Sequence, residues 1–368
     1  MVSSVFKVVV VLSVQSAVWG LPATLSTTQT TFDIQGHRGG RGETVENTLP
    51  SFAWGLIDGV ETLELDNGIT RDGHVIVWHD ENIDPTKCKD TAPAFLDDPD
   101  YPYVGKFIAN LTLAQIKTLD CGSERLLTFP LQTTYPGTKL STLEELFSFV
   151  ECFDPKHTVK YNIESKVNPV STNQTRGPND FVRLQHEQFK KSAYYHRITY
   201  QSFDWRTLVG MKALDPKIPT AALVDGTTTF GPDNTTSPWL AGIKLDPSSK
   251  ESIGVQLADA ANQIKADILS TADIAPGSAT DPTQLGFVPF TTKEMIVRAH
   301  LHGMTVKPWT VDRMNVAEQL MEWEVDGIIT DFPTQLRRIV QKKGLPVTPR
   351  RFDEKKVLRC LDKHRQTV

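Results

Sequence analysis

Eight short apolar stretches recur along the chain: TFDIQGH, VETLELD, TVKYNIES, RITYQSF, IPTAALV, ADILST, MTVKPWTV and DGIITD. Each is strand-length, and amphipathic segments with helical spacing lie between several of them. STLEELFSFVECF sets Leu143, Leu146, Phe147 and Val150 along one helical face, with Ser141 as the expected cap. TTKEMIVRAHLHG and NVAEQLMEWEVDG both run to a glycine, a common helix end. Strands alternating with helices favour a parallel sheet wrapped by helices. Eight such strands predict an α/β chain folded as a (β/α)8 TIM barrel, and 368 residues suffice for one such domain. A doubly wound open sheet is the alternative, because strand order is not written in a single sequence.

Two segments break the rhythm. Residues 84–140 are rich in Pro, Asp, Tyr and Thr, and residues 225–248 in Gly, Thr, Pro and Ser. Both are expected to be surface insertions on loops of the barrel. The barrel is expected over residues 30–345, with residues 346–368 as a C-terminal extension.

The amino terminus, MVSSVFKVVVVLSVQSAVWGLPA, carries one lysine, an apolar run from Val8, and small residues near Ala17 and Gly20. That layout predicts a signal peptide over residues 1–20 and a secreted, extracellular protein. The run is shorter than the roughly 20 residues needed to span a bilayer, and no other stretch is apolar enough, so no stable membrane insertion is expected. Sequons at Asn110, Asn173 and Asn234 lie in polar, turn-like contexts and are candidate glycosylation sites. Four cysteines, Cys88, Cys121, Cys152 and Cys360, fit two disulfides in an oxidising compartment. Three pairings are open. Cys88–Cys121 with Cys152–Cys360 is favoured because the first pair brackets one inserted segment. The spacings match no zinc pattern, and a net charge of −5 lacks the basic excess of a nucleic-acid partner.

Candidate chemistry gathers at strand ends. Glu64 and Asp66 are two residues apart and so share one face of a strand. Paired carboxylates repel unless a cation lies between them or one is protonated. Alone, they also fit a strand running out into solvent. Glu164 and Lys166 repeat the spacing with opposite charges, and alone would read as a surface ion pair. A third carboxylate beside Glu64 and Asp66 would complete an oxygen-rich site for one hard divalent cation, Mg²⁺ or Ca²⁺. His37 and Arg38 follow the first strand. Arg38 offers a planar fork for phosphate, and histidine serves as acid or base near neutral pH. His79-Asp80 closes the strand HVIVW. The glycine-rich stretch GHRGG matches neither GxGxxG nor GxxxxGK[ST], so a nucleotide cradle is not expected.

HRGGRGETVENTLPSF, ETLELDNGITRDGHVIVWHD, NIESK and VKPWTV…VDGIITDFP together resemble the glycerophosphodiester phosphodiesterase family, in that family's order from His37 to Pro333. The resemblance implies a TIM-barrel phosphodiesterase that depends on a divalent cation and takes a small glycerophosphodiester substrate. By it, His37 and His79 match catalytic histidines, and Glu64, Asp66 and Glu164 match metal ligands. Arg38 and Lys166 match phosphate contacts, Trp309 a pocket aromatic, and Glu46 a supporting residue able to orient Arg38. Asn67 stands where the family often has an apolar residue, facing away from the site. Three other functions fit less well: a phospholipase D-like enzyme acting on lysolipids, a non-catalytic secreted binding protein on the same fold, and a glycoside hydrolase.

Overall fold

The computed structural model describes residues 31–365; the expected signal peptide lies outside them. The chain opens with β1 (Asp33–Gly36) and β2 (Thr62–Ile69), and β2 turns back on itself through the short antiparallel β3 (Val75–Val77). Six further strands follow: β4 (Lys160–Ser165), β5 (Ile198–Ser202), β6 (Thr220–Val224), β7 (Ile268–Thr271), β8 (Thr305–Val306) and β9 (Gly327–Thr330). Apart from β3 all pair in parallel, in the order β8-β7-β6-β5-β4-β2-β1-β9. The two ends of that path meet. Asp326 N donates to Val306 O, Ile329 N to Pro308 O and Val311 N to Ile329 O, which makes a nearly closed eight-stranded TIM barrel. Pro308 brings no N–H to this seam, so β8 is short by ladder bonds although its backbone continues to Val311.

A main helix follows each barrel strand: α1 (Leu49–Asp58), then, past the four-residue α2 (Leu113–Ile116), α3 (Leu143–Glu151), α4 (Pro178–Lys191), α5 (Trp205–Leu214), α6 (Ile253–Gln263), α7 (Lys293–Leu301), α8 (Met314–Glu322) and α9 (Pro333–Lys342). Their apolar faces pack on the outward strand residues Ile34, Leu63, Leu65, Ile163 and Leu269 in one core. The cap of α3 differs from the expectation. Thr142, not Ser141, accepts from Glu145 N, while the Glu145 side chain returns to Thr142 N in a capping box. Ser141 instead gives its carbonyl to Val77 N, extending the β3 edge.

Period-two alternation turns the opposite set inward: Asp33 and Gln35 on β1, Thr62, Glu64 and Asp66 on β2, Asn162 and Glu164 on β4, Gln201 on β5. All are buried. Barrel interiors are ordinarily filled with branched apolar side chains; one side of this one is polar.

Residues 84–140 are more than a surface loop. Ile83, Tyr103, Ile108, Leu111, Ile116, Leu119 and Leu140 form a second buried cluster together with Cys88 and Cys121, which are disulfide-bonded. Residues 225–248 also reach inward, with Leu240 and Leu245 joining the main core. A third long loop, residues 272–291 between β7 and α7, was not expected as an insertion.

The extension is integral to the domain. Its helix α10 (Glu354–Arg365) buries Val357, Cys360 and Leu361 against α1 and α3, and Cys152–Cys360 forms the second disulfide. That bond closes a separation of 208 residues, so its loss relieves the unfolded chain of a large constraint. Replacing both cysteines by serine is expected to lower unfolding free energy by about 2–5 kcal/mol; an unchanged denaturant midpoint would contradict this. Among the described residues, no helix is long and apolar enough to cross a membrane.

Candidate active site

The loop after β1 shapes one wall of the site. Arg38 adopts a left-handed φ of 53°, followed by Gly39 at 90°. A side chain at Gly39 would collide with Ser51 at the start of α1. The close approach lets Ser51 Oγ and Asn47 N donate to Arg38 O (2.7 and 3.0 Å), and the tight turn aims His37 and Arg38 into the barrel. Arg38 N donates to Glu64 Oε2 (2.9 Å), its Nη1 donates to Glu46 Oε1 (2.9 Å), and its Nε lies 3.2 Å from Asp66 Oδ2. Burial opposes the guanidinium charge, but Glu46, Asp66 and Glu64 more than offset this and raise its pKa.

On β2 and β4, Asp66 and Glu164 are direct cross-strand partners, and Glu64 pairs with Asn162 one step below. Ligand atoms of Glu64, Asp66 and Glu164 all lie within 4.8 Å of one another, and all three residues are buried. Burial and then Asp66 drive the Glu64 pKa well above its ordinary value. Burial, partly offset by Lys166, and then Asp66 push Glu164 up to about 7. Asp66 stays ionised: burial disfavours its charge, but Arg38, His79 and Lys166 hold its pKa low. Three carboxylates this close repel when ionised, and a hard divalent cation among them would relieve that repulsion. Lys166 Nζ stands 2.9 Å from Glu164 Oε1 and faces the Phe203 ring.

Each histidine is held through Nδ1 by a carboxylate. His37 Nδ1 lies 2.6 Å from Asp331 Oδ1, and His79 Nδ1 2.7 Å from Asp80 Oδ1. This leaves Nε2 of each ring free of these anchors. Burial lowers the His37 pKa despite Asp331; burial, Arg38 and Lys166 bring His79 to about 3. Both imidazoles are therefore neutral at neutral pH.

His37, Arg38, Arg41, Glu64, His79, Glu164 and Lys166 line a cleft of about 570 Å³. Phe203, Leu223, Trp309 and Ile329 supply its apolar lining. Phe203 and Trp309 meet edge to face with centroids 5.1 Å apart, and Trp309 Nε1 donates to Ser270 O. The sequence-derived residues therefore converge, except that Asp66 and Glu46 sit behind the wall. Asn67 does face away, accepting from Gln185 Nε2 of α4. The sequons at Asn110, Asn173 and Asn234 are exposed on three different loops.

Sequence reasoning missed the anchors. Asp331 belongs to the stretch GIITDFP, and Arg41 grips it through Nε (3.1 Å) and Nη2 (2.7 Å). Lys87, from the first insertion, donates to Glu46 Oε1 and Asp80 Oδ2 (2.8 and 2.7 Å), tying the Arg38 support to the His79 support. Gln201 donates to Glu64 Oε1. The adjacent His79-Asp80 pair was visible in the sequence; the others pair residues far apart in the chain.

Residues 37–335 match the glycerophosphoryl diester phosphodiesterase family. A glycerophosphodiester phosphodiesterase of Caldanaerobacter subterraneus subsp. tengcongensis is 24% identical, over 84% of this chain and 97% of that protein. One from Bacillus subtilis is 27% identical, over 84% and 85%. The solved structure of an Oleispira antarctica phosphodiesterase in complex with its product sn-glycerol-3-phosphate shares the fold, with a TM-score of 0.59 and 18% identity over 84% of this chain and 97% of that one. The extent of the family match, with the strand order found here, places this chain in the glycerophosphoryl diester phosphodiesterase family.

Proposed function

We propose that this protein hydrolyses glycerophosphodiesters to glycerol 3-phosphate and an alcohol, with one divalent cation, Mg²⁺ or Ca²⁺, at Glu64, Asp66 and Glu164. The observation that carries this reading is the cleft itself: two carboxylate-anchored neutral histidines share it with Arg38, Lys166 and the carboxylates of Glu64 and Glu164, which meet Asp66 just behind its wall. A bound cation supplies positive charge to a phosphoryl oxygen. Lys166 and Arg38 hold the phosphate's remaining negative charge. One histidine takes the proton of the attacking hydroxyl, either the neighbouring glycerol hydroxyl or water, and the other, protonated from solvent once the anionic substrate is bound, gives its proton to the leaving alkoxide. Attack by the glycerol hydroxyl gives a cyclic phosphate, which water then opens with the proton roles reversed. The apolar wall of Phe203 and Trp309 packs against the carbon part of the substrate.

Asp331 acts through His37 by fixing the tautomer with Nδ1 protonated. Asp331→Asn is expected to lower kcat by on the order of 10²-fold with little change in KM. Steady-state kinetics showing an equal rise in KM instead would assign Asp331 to substrate binding.

Export rests on the leader-like residues 1–20, and the two disulfides agree with an oxidising compartment. Glycans at Asn110, Asn173 and Asn234 belong to the same reading. A second reading, phospholipase D-like action on lysolipids, is favoured by apolar side chains standing out on loops at the strand C-terminal ends: Leu96 (87% exposed), Leu127 (99%) and Leu285 (103%). Product identification decides between them. Glycerol 3-phosphate from glycerophosphocholine supports the first; activity confined to lysophosphatidylcholine, releasing choline, supports the second.

A further inference from the structure

The polar side of the barrel interior is one continuous hydrogen-bonded string. From the top, Gln201 Nε2 donates to Glu64 Oε1 (2.6 Å). Asn162 Nδ2 donates both to Gln201 Oε1 and to Gln35 Oε1 (2.9 Å each). Gln35 Nε2 donates to Asp33 Oδ2 (2.8 Å), where Lys307 Nζ also donates (2.7 Å), and Thr62 Oγ1 donates to Asp33 Oδ1. Gln35, Asn162 and Gln201 are each no more than 2% exposed.

The orientation of the amides is set from the Asp33 end. Asp33 also accepts from Lys307 and Thr62, and an ionised carboxylate only accepts, so Gln35 turns its NH₂ to it. Gln201 turns its NH₂ to Glu64, the orientation that Glu64 requires once it is ionised as a cation ligand. Both carbonyl oxygens then face Asn162, which can satisfy them only with the two hydrogens of its own NH₂. Its Oδ1 is left buried with no hydrogen-bond partner. Apolar side chains at these positions would leave no such orphan, so core stability alone does not account for the string.

The string reaches one member of the acidic group. Glu64 receives Gln201 on Oε1 and the Arg38 amide on Oε2, which fixes its carboxylate plane. Asp66 and Glu164 have other partners: Asn47 Nδ2 donates to Asp66 Oδ2 (2.8 Å), and Lys166 lies beside Glu164.

We propose that Gln201, Asn162 and Gln35 are positioning residues, a string anchored at Asp33–Lys307 that holds the Glu64 carboxylate in the orientation a divalent cation requires. The inference rests on the cation site of the proposed function, but its readout is cation affinity and not turnover.

The test is calorimetric titration of the full secreted chain with Ca²⁺ and, separately, Mg²⁺, with the thermal midpoint of the metal-free protein measured alongside. Gln201→Met keeps the side-chain length and removes the donor; it is expected to weaken the cation Kd about 10- to 100-fold. Asn162→Leu touches no ligand and is expected to weaken Kd in the same direction by a smaller factor. The double variant is expected to bind no more weakly than Gln201→Met alone, because the two act in series. A merely structural role would lower the metal-free midpoint and leave Kd unchanged. Wild-type Kd in Gln201→Met, or full additivity in the double variant, overturns the proposal, as does a wild-type chain that binds neither ion. Should Gln201→Met not fold, wild-type Kd in Asn162→Leu overturns it equally. A chain that binds the cation with these losses yet cleaves no glycerophosphodiester would sink the proposed reaction and leave the string standing.

Discussion

Replacing His37 or His79 by alanine is expected to lower kcat for glycerophosphocholine by about 10²–10⁴-fold with KM nearly unchanged. The geometry gives each ring one task. Nδ1 is occupied by a carboxylate at 2.6 Å for His37 and 2.7 Å for His79, so Nε2 is the nitrogen left to exchange a proton with substrate. Both rings are neutral in the free protein because burial lowers their pKa values. Either can therefore begin as the base, and the negative charge of a bound phosphodiester favours protonation of its opposite number. Neither substitution should unfold the barrel. Asp331 keeps Arg41, and Asp80 keeps Lys87, so no buried carboxylate is left alone. Circular dichroism and a thermal midpoint close to wild type are expected beside the kinetic loss. Near-normal turnover in both variants would remove the histidines from the mechanism.

A divalent cation is expected to raise the thermal midpoint, and to do so far more at pH 8 than at pH 5. Glu164 is pushed up to about 7 by burial and by Asp66 against the pull of Lys166, and Glu64 is also raised well above its ordinary value, by burial and then Asp66. In the metal-free protein the folded state therefore holds these protons more tightly than the unfolded state. Such groups stabilise the fold below the unfolded carboxyl pKa and lose that contribution as pH rises through the folded value. The same ionisation creates the cation's ligands, so cation stabilisation grows over the window in which the free protein weakens. At a free cation concentration 100 times Kd the gain is about 2.7 kcal/mol. In Asp66→Asn the shift is expected to vanish. Equal shifts at pH 5 and pH 8 in the wild type would contradict an all-carboxylate site.

The sequence made the catalytic face legible because strands alternate with a period of two. Glu64 with Asp66, and Glu164 with Lys166, had to share faces, and they do. Their meeting was not legible from spacing. β2 and β4 become neighbours only through a parallel pairing that spans the whole first insertion, and the family motif order alone anticipated it. His37 and Asp331 are 294 residues apart, joined across the β1–β9 pairing. The core of residues 84–140 was hidden because its apolar residues follow no helical or strand period, being folded by turns and a disulfide. Thr142 was a missed opportunity: Thr-Leu-Glu-Glu is a readable capping box, and it outcompetes the neighbouring serine. The polar string could not be foreseen. Gln35, Asn162 and Gln201 look like ordinary polar residues in apolar strands until the barrel turns them inward together.

The most direct test of the central claim is release of glycerol 3-phosphate from glycerophosphocholine by the purified protein, before and after EDTA, with Mg²⁺ and Ca²⁺ restored separately. Activity lost on chelation and recovered with one of the two ions is the expected result, and the ion that restores it is the one Glu64, Asp66 and Glu164 hold. Undiminished release of glycerol 3-phosphate in EDTA, or none under any condition, would contradict it.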